Sequence, residues 1–218
     1  MNIKLLSTAL FICINVISFS QNTIQDIEGN KYLTVEIGGQ VWMQENLKTT
    51  QYNNGDKIEN LTDRKIWSST TSGAYSVYED KEKYKKEFGL LYNYYSIIDT
   101  RNVCPVGWRI PSDSDFVKLI EFLGGDKLAG GKIKEGGTDH WLKPNTGASR
   151  FNLFNALAIG LRSSGGDYYG LTTAAHFWSK TSTAQYYATA ITVECFSTFV
   201  QKAPWFMNHG LSVRCIKN

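Results

Sequence analysis

Cys104-Pro105-Val106-Gly107-Trp108-Arg109-Ile110-Pro111-Ser112-Asp113-Ser114-Asp115-Phe116 runs on through Val117-Lys118-Leu119-Ile120-Glu121-Phe122-Leu123 to Gly124-Gly125. Ser112 stands just before a helix, and Asp115, three residues on, can answer it in a capping box. Phe116, Leu119, Ile120 and Leu123 recur at helical spacing, which predicts a short amphipathic helix with one buried stripe. Gly124-Gly125 ends it. A second short helix is expected just upstream, over residues 89–98.

Away from these helices the patterning is that of strands. In residues 32–43, Leu33, Val35 and Ile37 alternate before Gly38-Gly39, and Gln40-Val41-Trp42-Met43 follows, so a β-hairpin with a glycine turn is expected. Residues 51–75 are polar. The charge run 78–87 reads as a solvated helix or loop face. Beyond residue 150, short strands are expected over 156–161, 176–179, 186–199 and 211–216. Few helices followed by several strands give an α+β class. Without a linker or an internal repeat, residues 21–218 read as a single domain.

Of the 218 residues, 42% are hydrophobic and 20% charged, a folded and globular composition. Lys and Arg number 23 against 20 Asp and Glu, which leaves no basic excess for neutralising phosphates, so no nucleic-acid partner is expected. The 6 Trp, 12 Tyr and 11 Phe form a heavy aromatic load that suits a binding surface.

The first twenty residues read as a signal sequence: Lys4, an apolar stretch from Leu5 to Phe19, and cleavage after Ser20. The stretch is shorter than the ~20 residues a membrane span needs and is broken by Asn15. Cys13 lies inside it after Phe11-Ile12, unlike a lipidation site. No transmembrane segment is expected after it, which points to a secreted, periplasmic or outer-surface chain. Cys104, Cys195 and Cys215 remain where a disulfide persists. In 187–195 the odd positions are mostly apolar, so Cys195 points inward as a small buried hydrophobe, with Thr192 and Glu194 on the other face. In Leu211-Val213-Cys215 the same period puts Ser212 and Arg214 outward. Cys104 is paired with Cys215, which staples the last strand to the middle of the chain.

Several passages stand in one order: Asp26-Ile27-Glu28-Gly29-Asn30, Gly39 to Thr50, Gly89-Leu90-Leu91-Tyr92-Asn93, Cys104 to Ser112, and Trp178-Ser179 through to Ser212-Val213-Arg214-Cys215. Together they resemble the Fibrobacter succinogenes major paralogous domain, from about residue 26 to the C-terminus. Trp108 to Phe116 is also distantly similar to a segment of formylglycine-generating-enzyme-like domains. That similarity implies a C-type-lectin-like fold: two short helices, a mainly antiparallel twisted β-sheet and long loops, with the termini joined in a hairpin-like sheet. The family resemblance implies secreted or surface proteins of Bacteroidota-type bacteria, often without a defined activity. Lys180, Leu211 and Cys195 depart from the family pattern.

Catalytic chemistry finds little support. His140, His176 and His209 show no zinc-helix spacing, so no metal is expected. Asp139 beside His140 could orient its ring, but no nucleophile accompanies them. Ser163-Ser164-Gly165-Gly166 lacks a phosphate-loop lysine and reads as a turn. Formylglycine generation needs a close pair of reactive cysteines, and Cys215 is assigned to the staple. Calcium-dependent sugar binding of the C-type-lectin kind uses Glu-Pro-Asn; here Lys143-Pro144-Asn145 puts a cation at the ligand position. No cofactor is expected.

Recognition is what remains. Arg162, Asp167, Tyr168 and Tyr169 fall in a Gly/Ser-rich loop, and Trp205, Phe206, Asn208 and His209 in a loop before the last strand. Late loops form the ligand face in C-type-lectin-like folds, and such residues stack on and hydrogen-bond a sugar or peptide. Trp205 and Phe206 read equally well as core plugs, while Trp42, Trp108 and Trp178 read as core. The expected function is a non-enzymatic binding module for a glycan or envelope surface protein, with a structural or adhesion component of the cell envelope as the alternative.

Overall fold

The computed structural model describes residues 22–149 and 153–218. The expected signal sequence, with Cys13, lies outside the described residues.

In chain order the elements are β1 (Thr23–Gln25), β2 (Lys31–Ile37), β3 (Gln40–Met43), β4 (Glu59–Asn60), α1 (Arg64–Ser69), β5 (Ala74–Ser76), α2 (Glu82–Phe88), β6 (Leu91–Tyr92), α3 (Tyr94–Ile97) and β7 (Trp108–Arg109). There follow α4 (Asp113–Phe122), α5 (Asp126–Ile133), β8 (Leu161–Arg162), β9 (Tyr168–Tyr169), β10 (Ala174–Ala184), β11 (Tyr187–Glu194), β12 (Val200–Phe206) and β13 (Ile216–Lys217). The class is α+β, with short helices and mostly antiparallel pairing.

The N-terminal hairpin forms as its alternation predicts, with β2 antiparallel to β3 and Gly38 and Gly39 both at positive φ in the turn. The first sheet runs β1-β2-β3-β13-β7, so the C-terminal strand is inserted beside the N-terminal hairpin. Cys104 and Cys215 are bonded, which fastens β13 to the segment before β7. Cys195 is free and buried. A second sheet, β10-β11-β12, carries the long strands.

Helix α4 begins at the expected cap. The Ser112 side chain accepts from Asp115 N, and the Asp115 carboxylate accepts from Ser112 N at 2.8 Å. Its stripe of Phe116, Leu119, Ile120 and Leu123 is buried with Trp42, Phe154, Phe177, Ile191 and Val193 in one core cluster. The other large cluster gathers Tyr32, Leu47, Tyr92, Trp178, Leu211 and the disulfide. Trp42, Trp108 and Trp178 are all core residues.

Four readings are corrected. Residues 89–98 are not one helix: Leu91 and Tyr92 pair with β5, Tyr92 exchanges backbone hydrogen bonds with Leu211, and only Tyr94–Ile97 is helical behind the Asn93 cap. Among the described residues, five α-helical segments stand where two were expected. Of these, α5 is hidden in the sequence by Gly130-Gly131, whose function is close approach. A Cβ on Gly130 would lie 2.6 Å from Phe199 O, and one on Gly131 would lie 2.4 Å from Gly147 O. Residues 200–206 form the strand β12, not a loop. It is an edge strand, which tolerates Pro204. Finally, Thr192, Ser212 and Arg214 are buried rather than outward, because these segments are covered on both faces.

Candidate functional site

At one end of the second sheet, β11 and β12 meet in a cluster of aromatic rings. Antiparallel pairing sets Tyr187 opposite Phe206, with ring centroids 4.5 Å apart. Phe206 is also 6.2 Å from His209 and nearly parallel to it. Tyr186 is 56% exposed and Phe206 45% exposed, so the cluster opens to solvent. Trp205 lies behind it, half-buried, with His176 at 5.1 Å and His209 at 5.0 Å, both edge-on. Burial pushes His176 down to about 3 and lowers His209, so both imidazoles stay uncharged at neutral pH. His176 Nδ1 lies 2.8 Å from Thr192 Oγ1. Residues 181–188 and 203–210, which build this tip, contain no Asp, Glu, Lys or Arg.

The expected recognition residues divide into two groups. Trp205 and Phe206 belong to the aromatic tip, though on a strand rather than in a loop. Asn208 adjoins it, but its amide donates to Thr70 O at 2.7 Å and anchors the end of α1. Arg162 is corrected from a surface residue to an internal one. It is fully buried over the Trp67 ring at 4.3 Å, and it donates to Leu61 O, Thr62 O and Gly166 O. Tyr168 pairs with Arg162 across β8 and β9 and packs on Tyr78 at 5.0 Å. Asp167 is ion-paired with Arg64, and Tyr169 is 58% exposed. Sequence reasoning passed over Tyr186 and Tyr187. The signal that marks them is the Tyr-Tyr doublet at a strand start, facing Trp205-Phe206 in an antiparallel register.

His140 occupies a separate cleft of about 270 Å³. Its partners are Glu135, 2.7 Å from Nδ1, and Glu87, 3.0 Å from Nε2, with the Phe88 ring edge-on at 5.2 Å. Asp139 is not among them. Burial alone would lower this histidine, but the two carboxylates hold its pKa above the ordinary value. Both ring nitrogens are engaged by carboxylates, so the ring is a clasp between α2 and the segment after α5, not a free base. Among the described residues no group of three or more His, Cys, Asp or Glu is placed to hold a metal ion. No helix among them is long and apolar enough to cross a membrane.

A family model described as the Fibrobacter succinogenes major domain matches residues 35–217. The chain belongs to this family. No curated protein matches the chain, and no solved structure does. In this Fibrobacter succinogenes major domain the motif residues named above interlock as framework. Arg214 donates to the Asn46 side chain at 2.6 Å and to Phe154 O at 2.6 Å. Trp178 Nε1 donates to Tyr92 O at 2.8 Å, and Asp26 accepts from Tyr32 OH at 2.5 Å. The aromatic tip lies between the motif residues Trp178 and Ser212, outside this framework.

Proposed function

We propose that the protein is a non-enzymatic binding module of C-type-lectin-like fold, acting outside the inner membrane, that takes a neutral glycan on its aromatic tip. The observation that carries this reading is the Tyr187–Phe206–His209 cluster, open to solvent at Phe206 and beside exposed Tyr186, on two segments, 181–188 and 203–210, that contain no Asp, Glu, Lys or Arg. Sugar rings offer C–H faces to aromatic rings and hydroxyls to neutral donors and acceptors. The tip supplies Thr181, Ser182, Thr183 and Gln185 beside the aromatics, and Gln185 already donates to Tyr186 OH at 3.1 Å. Rigid aromatic side chains lose little rotamer entropy on binding, which favours weak, extended surfaces of this kind. The disulfide is consistent with an oxidising compartment.

The test is binding of the chain to an array holding neutral and acidic glycans, beside a Tyr186→Ala/Phe206→Ala variant. Both residues are half-exposed, so the variant should keep its melting temperature within a few degrees. Retention of a neutral glycan that the variant loses supports the reading. A silent array, or equal retention by the folded variant, overturns it.

A further inference from the structure

On the far part of β12 the sheet ends in an open edge. The order β10-β11-β12 leaves β12 paired on one side only. The register opposes Thr189 to Pro204, Ile191 to Lys202 and Val193 to Val200, while Met207 N donates to Tyr186 O. That bond fixes the phase of the ladder. Met207, Trp205, Ala203 and Gln201 face β11 with their backbone groups, whereas Lys202 turns both N–H and C=O outward and Pro204 its C=O; Val200, 2% exposed, is closed off in the core. Beside this edge runs a groove of about 620 Å³. It is lined by Val200 to Ala203 of β12 and by Val117, Ile120 and Glu121 of α4 and Asp126 of α5. Val117 is 38% exposed there and Phe199 45% exposed.

We propose that this groove binds an extended peptide as a fourth strand on β12, with a basic side chain of the peptide set against Glu121 and Asp126. The outward amide and carbonyl of Lys202 and the carbonyl of Pro204 match another strand and no other ligand as well. The charge of the groove selects among strands. Glu121 and Asp126 stand in no ion pair among the described residues, and the single cation of the lining, Lys202, already lies 3.8 Å from Asp113. A second copy pairing symmetrically about Lys202 would set two ammonium groups opposite each other, which is unfavourable. Pro204 confines pairing to a few residues, so the edge accepts a short segment and does not propagate a sheet. Apolar side chains of the peptide then cover Val117 and Phe199.

The test uses the full chain and a fluorescein-labelled heptapeptide of alternating threonine and valine with a central lysine. It is read by fluorescence anisotropy and by the NMR shift of the Lys202 amide. Saturable binding that moves that amide, and that is at least about tenfold weaker for a central-glutamate peptide, is the expected result. N-methylation of the peptide amides that face β12 should weaken binding by a similar factor, with the protein untouched. Lys202→Pro removes an N–H that the fold does not use and should abolish binding with an unchanged circular dichroism spectrum. If that variant does not fold, the N-methylated peptide decides alone. Glu121→Lys should invert the preference to glutamate. No saturable binding, binding indifferent to N-methylation, or a concentration-dependent dimer with its contact at Lys202 each overturns the proposal.

Discussion

Arg214 and Asn46 are joined inside the protein by a 2.6 Å bond from the guanidinium Nε to the amide oxygen, with Arg214 only 1% exposed. The remaining donors reach Met43 O, Phe154 O and Asn155 O, and the guanidinium lies over the Phe154 ring at 4.8 Å. Burial pulls the group down to about 9, still charged at neutral pH. One cation thus gathers the turn after β3, the 154–155 segment and the approach to β13. Arg214→Met should lower stability by at least about 3 kcal/mol, because several buried acceptors lose their donor together. Arg214→Lys should recover little, since an ammonium cannot reproduce the planar fork. Urea unfolding of the two variants measures both effects.

The Cys104–Cys215 bond spans 111 residues of sequence and is fully buried at both ends. Closing so long a loop restricts the unfolded chain, and the loop-entropy relation assigns it about 4–5 kcal/mol. Cys104→Ala/Cys215→Ala should therefore unfold at markedly lower urea. Cys195→Ser should leave the bridge intact, with its cost confined to a hydroxyl placed in a buried site. Mass mapping of the oxidised protein checks the connectivity.

Apart from the Cys104–Cys215 pairing, what could be read from the residues alone was local. The β2–β3 hairpin follows from alternation around two glycines, and α4 follows from Ser112, Asp115 and one apolar stripe. Where a partner distant in sequence decides, the reading fails. Leu91 and Tyr92 become a strand because β5 and Leu211 claim their backbone, and β12 exists because β11 templates it through a proline and a lysine. The candidate site divides in the same way. Trp205 and Phe206 stand out as aromatics, but Arg162 looks like any loop arginine until the carbonyls of Leu61 and Thr62 are seen to hold it.

His140 makes the fold pH-sensitive. The Glu135 and Glu87 carboxylates raise its folded pKa above the ordinary 6.5, so the folded state binds this proton more tightly than the unfolded chain. Its stabilising contribution is complete below the ordinary value and is lost as pH rises through the folded one. The charged groups that line its cleft are Lys86 and Glu87 of α2, Glu45 and Lys48 after β3, Glu135 and Arg214. The stability difference between the natural chain and His140→Gln should be largest near about pH 5.5 and smallest near about pH 8.5. A difference that does not shrink over that range would show that the clasp is not charged. Histidine proton shifts in NMR give the titration directly.

Asp115 carries the opposite sign. Burial alone would raise its pKa, but Arg109 and Ser112 hold the carboxylate far below the usual range. The guanidinium grips it at 2.6 and 2.9 Å, and Ser112 donates from its hydroxyl at 2.6 Å and its amide at 2.8 Å. A depressed carboxylate stabilises the fold above its ordinary value of 3.8, and that stability is lost as pH falls through the folded value. Asp115→Asn keeps the shape and removes the charge, so it should cost about 2 kcal/mol or more at neutral pH, with the penalty shrinking in strong acid. Ser112→Ala removes both the cap and the hydroxyl's bond to the Asp115 carboxylate, and should cost about 1 kcal/mol or more at any pH where Asp115 stays ionised. Since Arg109 sits on β7 beside β13, and α4 packs under the second sheet, the double variant should lose less than the sum of the two if cap and ion pair act as one junction, because the Ser112–Asp115 bonds are already lost in either single variant. A strictly additive double-mutant cycle would separate them.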